Sequence, residues 1–92
     1  MKTIREYYID KKCLTPTTIY LPRDAEVVNI SELGDQLVLF VLLDINKQFT
    51  TDLRTFKICR SGENIYSDAV KYISSVNTDI GIRHVVEIIR GV

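Results

Sequence analysis

Polar and apolar side chains alternate along most of this chain with the two-residue period of a β-strand. Ile4 to Ile9 is rich in β-formers, Thr17 to Leu21 is β-branched, and Pro22, Arg23 and Asp24 break the pattern before the next run. Glu26 to Leu33 and Gln36 to Leu43 flank Gly34-Asp35, where glycine accepts the positive φ of a tight turn, so the two segments predict an antiparallel hairpin. Asp44 to Asp52 is polar and reads as a connecting loop. Leu53 to Arg60 alternates again, with Arg54, Phe56, Ile58 and Arg60 on one side and Thr55, Lys57 and Cys59 on the other. Ala69 to Val76 and Ile82 to Ile89 are the last two predicted strands, joined by a loop from Asn77 to Gly81. A helix over Ser67 to Ser75 is the alternative for that segment, with Ala69, Val70 and Ile73 as its stripe, but Tyr72, Ile73 and Val76 favour a strand.

Leu37 to Leu43 breaks the alternation, because it is apolar at every position. Half exposed, such a strand would leave large side chains in water, so it is expected to be central and covered on both faces. A closed barrel, a short helix or a second subunit could supply the cover. The fold expected is one mainly β domain over residues 1–92, an antiparallel barrel or sandwich of six or seven strands with at most one short helix, completed by self-association into a homo-oligomer. The chain of 92 residues, 46% apolar, is long enough for one core and too short for two.

Charge narrows the functions. The 12 basic and 12 acidic side chains cancel, so no global positive field exists to drive non-specific nucleic-acid binding. An anion site would have to be local. Cys13 and Cys59 lie far apart, without the spacing of a zinc site or a redox pair, and are expected to be reduced thiols. The first residues lack a signal-peptide core, and no run approaches the roughly 20 apolar residues of a membrane span. The expected location is therefore the cytoplasm, with no cofactor and no membrane partner.

The string of motifs resembles a family of small uncharacterised proteins of tailed phages, known as a domain of unknown function. The matching pieces are Ile4 to Tyr8, Ile19-Tyr20-Leu21-Pro22 with Ala25 and Val27-Val28, and Leu37 to Asp44, which is similar to a Leu-x-Leu-Trp-Ala-Leu-Val-Asp strand. Phe56-Lys57-Ile58 with Ser61-Gly62 resembles Phe-x-Ile followed by Gly-Thr-Gly. Tyr72 to Val76 resembles Tyr-Ile-Gly-Thr-Val, and His84 to Glu87 resembles His-Val-Phe-Glu. This chain departs from the pattern at Phe40, Arg60, Ser74 and Val86, where the family tends to have Trp, Gly, Gly and Phe. The resemblance implies a phage origin, hence the cytoplasm of the phage's host, and a small β domain; it implies no chemistry.

The most informative chemistry lies where Arg60 runs into Ser61-Gly62-Glu63-Asn64. Guanidinium, hydroxyl and backbone N–H groups there could hold a phosphate or carboxylate, with Gly62 allowing close approach. The spacing is not that of a P-loop. Arg54 shares the parity of Arg60, and Tyr66 could supply a stacking surface. His84 alternates with Ile82, Val86 and Ile88 and is expected at the margin of an apolar face. Ser61, His84 and an aspartate could be drawn as a triad, but no nucleophile elbow surrounds Ser61. The expected site is therefore Arg54, Arg60, Ser61, Gly62, Asn64, Tyr66 and His84, binding a ligand without catalysis. The function expected is a phage counter-defence protein that sequesters a nucleotide immune signal. The alternatives are an inhibitor docking on a host defence complex such as a CRISPR effector, and a virion-accessory or structural protein.

Overall fold

The computed structural model describes residues 1–67 and 69–89. Seven strands run in the order β1 (Lys2–Asp10), β2 (Thr17–Pro22), β3 (Glu26–Leu33), β4 (Gln36–Asp44), β5 (Thr51–Cys59), β6 (Val70–Thr78) and β7 (Gly81–Ile88). One 3₁₀ turn, Ile45–Lys47, interrupts the β4–β5 connection. The helical alternative for residues 67–75 fails: β6 begins at Val70, and residue 68 lies outside the described residues. The loop expected from Asn77 to Gly81 shrinks to the two residues between β6 and β7.

The strands form two antiparallel sheets, β1-β4-β3 and β2-β5-β7-β6, which settles the choice between barrel and sandwich in favour of a sandwich. Leu37, Leu39, Val41 and Leu43 of β4 meet Leu21, Phe56, Ile58 and Val85 of the other sheet in one core. These side chains sit at alternate positions because successive residues of a strand point to opposite faces. At the β3–β4 hairpin only Gly34 (φ 58°) has positive φ, which is the type II′ preference for glycine at the first central position. Between the hairpin ends, the buried Lys11 ammonium donates to Asp79 (2.7 Å), Glu32 (2.8 Å) and the Gly34 carbonyl (2.6 Å). The two carboxylates, Asp79 first, raise its pKa and keep it charged although it is out of water.

The doubly apolar strand β4 is central in its sheet, as expected, but only its inner face is covered by a second layer. On the outer face Val38 is buried and Phe40 and Leu42 are half-buried, screened by their cross-strand neighbours Tyr8, Glu6 and Ile4 on β1.

One feature of the topology positions the candidate site. β5 and β6 both pair antiparallel with β7, so they are parallel to each other, with β7 between them. The chain leaving β5 at Cys59, beside His84, must travel back along the sheet to start β6 at Val70, beside Ile88. A hairpin cannot make that connection; parallel strands need a crossover. The inner face is filled by the core, so the crossover passes on the outer side, where Ile65 and Val86 line one pocket.

Candidate functional site

Beneath this crossover lies a pocket of about 340 Å³, lined on the sheet side by Cys59, Tyr72, His84 and Val86 and on the crossover side by Arg60 to Glu63 and Ile65. Its rim begins with a turn. The Glu63 amide donates to the Arg60 carbonyl (3.1 Å), and Gly62 at the third position has φ 82°, the conformation that a type II turn demands of its glycine. A side chain at residue 62 would meet no neighbour within 4 Å, so glycine is required there by φ and not by space.

Glu63 fastens the turn to the sheet. Its Oε2 accepts from Lys57 Nζ at 2.7 Å, and its Oε1 accepts from the Arg60 amide at 3.2 Å and from Arg60 Nε at 3.4 Å. Lys57 also donates to the Leu14 carbonyl at 2.8 Å. The Lys57 ammonium, followed by the Arg60 amide, holds the Glu63 carboxyl down at about 2. The terminal nitrogens of Arg60, and the amides of Ser61 and Gly62, make no hydrogen bond to the described residues. These are the unused donors of the site.

His84 occupies the floor. It is the direct cross-strand partner of Cys59 on one side and of Ser75 on the other. Ser61 Oγ lies 2.7 Å from its Nε2, Ser75 Oγ lies 2.5 Å from its Nδ1, and Tyr72 Oη lies 2.6 Å from Ser75 Oγ. Tyr72 and Ser75 differ by three positions and would face opposite sides of a regular strand. A register shift between Tyr72 and Ser74 inserts a bulge, and that extra residue turns both side chains outward.

Of the residues expected from the sequence, Arg60, Ser61, Gly62 and His84 converge on this pocket. Arg54 does not. It lies on the inner face in the interior of β5, where its Nε and Nη2 grip Glu87 at 2.7 Å each, Nη1 donates to the Ala25 carbonyl, and the guanidinium lies 5.7 Å from the centre of the Phe56 ring. The Glu87 carboxylate raises its pKa. Arg54 therefore faces the core with all three of its guanidinium nitrogens engaged, and it does not line the pocket. Asn64 and Tyr66 belong to the crossover but do not line the pocket, and Tyr66 is 93% exposed. Sequence reasoning missed Glu63, Tyr72 and Ser75 as site residues. The usable signal was the segment between Cys59 and Val70: it has no strand period and is too long for a hairpin loop, so the residues beneath it were candidates.

Among the described residues, no three metal-ligating side chains come together, and no described helix is long and apolar enough to cross a membrane. The fold is thus a small two-sheet β domain with a pocket under one crossover. Over residues 1–90 the chain matches the model of a family described as a domain of unknown function (DUF7352), and it belongs to that family. No curated protein and no solved structure matches it.

Proposed function

We propose that this chain is a phage-encoded counter-defence protein that binds a nucleotide-type anion in the pocket beneath the crossover, in the cytoplasm of the phage's host. The observation that carries the binding reading is the meeting of unused donors with an apolar wall in one concave site. Arg60 and the Ser61 and Gly62 amides suit phosphate oxygens, while Tyr72, Ile65 and Val86 suit a base or ribose face. A volume of about 340 Å³ lies at the small end of ligand pockets, which favours one nucleotide moiety per protomer. The phage origin rests on the motif resemblance alone, and the counter-defence role on the arginine, Ser-Gly turn and tyrosines that suit a nucleotide signal in a small phage-encoded chain. Calorimetry of the purified chain against mononucleotides, cyclic dinucleotides and ADP-ribose derivatives tests the reading. Heat with one of them, lost in Arg60→Ala, is expected; silence across the panel at high protein concentration sinks it.

A second reading is favoured by the outer face of the three-stranded sheet, where Ile4, Tyr8, Phe40 and Leu42 lie together. That face suits self-association into a homo-oligomer or docking on a host defence protein. Native mass spectrometry separates the two readings: a retained small ligand favours the pocket, and a concentration-dependent oligomer abolished by Phe40→Glu favours the face.

A further inference from the structure

The hydrogen-bonded chain on the pocket floor does more than shape it. We infer that Ser61 is an activated nucleophile, acylated by small carboxylic esters or thioesters that enter the pocket, with His84 as its general base. Ser61 is exposed on the turn and its Oγ is 2.7 Å from His84 Nε2, within reach for proton transfer. For Nε2 to accept that proton, the neutral imidazole must carry its own on Nδ1, which then donates to Ser75 Oγ at 2.5 Å. The tyrosine hydroxyl at 2.6 Å holds Ser75 in place. A nucleophile bonded to a base, and the base oriented by a third group, is the arrangement that activates serine in otherwise unrelated proteins. Here the third group is a hydroxyl where the sequence suggested an aspartate.

The remaining parts are also present. The Ser61 and Gly62 amides make no hydrogen bond among the described residues, so they are the donors on hand for the charge that develops on a carbonyl oxygen attacked by Ser61. Ile65, Val86 and the Tyr72 ring offer an apolar wall to a short acyl group. Ser61 Oγ adds to the ester carbonyl carbon as its proton passes to His84 Nε2. The tetrahedral oxyanion collapses, the bond to the leaving group breaks, and the departing alkoxide or thiolate takes the proton from His84. Water then repeats the sequence, releasing the carboxylic acid and restoring Ser61. Glu63, the carboxylate of the pocket wall, is engaged by Lys57 and Arg60 and does not back the imidazole, so the chemistry is slow and selects activated esters.

This goes beyond the binding reading and departs from the sequence-based expectation of a chain without catalysis. Ser61→Ala separates the two, because it removes the nucleophile and leaves Arg60 and the turn amides to hold an anion. The purified chain is treated with a fluorophosphonate probe, whose serine adduct does not hydrolyse. One adduct per chain, mapped to Ser61, is expected, and His84→Gln slows its formation by about 100-fold or more. Ser75→Ala slows it less and displaces the pH profile of p-nitrophenyl acetate hydrolysis, while Ser75→Thr restores both, as a positioning residue requires. Absence of a Ser61 adduct on chain with native circular dichroism, or equal rates with and without His84, overturns the assignment.

Discussion

Arg54 and Arg60 stand on one strand line with the same parity, roughly 20 Å apart along an extended chain, and they have opposite fates. Arg54 is inside β5, so its parity holds and its side chain enters the sandwich, where a two-pronged pair with Glu87 and a bond to the Ala25 carbonyl engage all three guanidinium nitrogens. Arg60 follows the last paired residue, Cys59, and opens a type II turn, so parity no longer governs it and its guanidinium reaches the pocket rim. The same side chain is a core-facing ion pair in one place and an accessible donor in the other. What separates them is whether the backbone ladder continues.

The largest test of that contrast is Arg54→Ala. It leaves the Glu87 carboxylate buried without its partner, and urea unfolding is expected to show a loss of about 3 to 5 kcal/mol. The double variant Arg54→Met/Glu87→Leu removes both charges and should recover much of the loss, whereas a catalytic or ligand-binding role for Arg54 would not be rescued by it. Glu63→Gln comes next. The native carboxyl titrates near 2 and an unperturbed one near 4.5, so the unfolded chain takes up this proton first as pH falls. The stabilisation from Glu63 is therefore complete above the ordinary value and is lost as pH drops through about 2. Amide NMR of Arg60 to Glu63 during acid titration should show an ordered turn down into that window in the wild type and a disturbed one already at neutral pH in Glu63→Gln.

Arg60→Ala is expected to change stability by no more than about 0.5 kcal/mol, because the side chain is 58% exposed and its ion pair is a surface one. Its effect should be confined to ligand binding, and a large loss of stability would erase the distinction drawn between the two arginines. The smallest effect expected is in thiol reactivity. Burial pushes the Cys59 thiol up, while hydrogen bonds from Thr15 and Thr17 bring Cys13 down, so iodoacetamide should alkylate Cys13 well before Cys59 in the folded chain. Equal rates would mean that the pocket floor around Cys59 opens to solvent.

Much of the fold was legible in the residue pattern. Every strand was found near its observed place, because a two-residue period over a half-buried sheet leaves a direct mark on the sequence. The turn at Gly34 was legible for an equally local reason, since positive φ selects glycine. Half of the site was legible too: Arg60, Ser61 and Gly62 are adjacent in sequence, and a donor-rich turn can be recognised without knowing what lies across from it.

The rest depended on long-range pairing. That β7 sits between β5 and β6 is a matter of strand order, which no period encodes, and it alone makes the segment after Cys59 a crossover and creates a pocket beneath it. The bulge after Tyr72 reverses the parity of everything beyond it, so Ser75 reaches His84 only once the register is known. By itself the sequence determined the strands, their faces and the tight turns, which depend on neighbours within a few residues. Only the tertiary structure decided which arginine is free, what His84 touches and where a ligand could sit, because those answers come from contacts between residues that are distant along the chain.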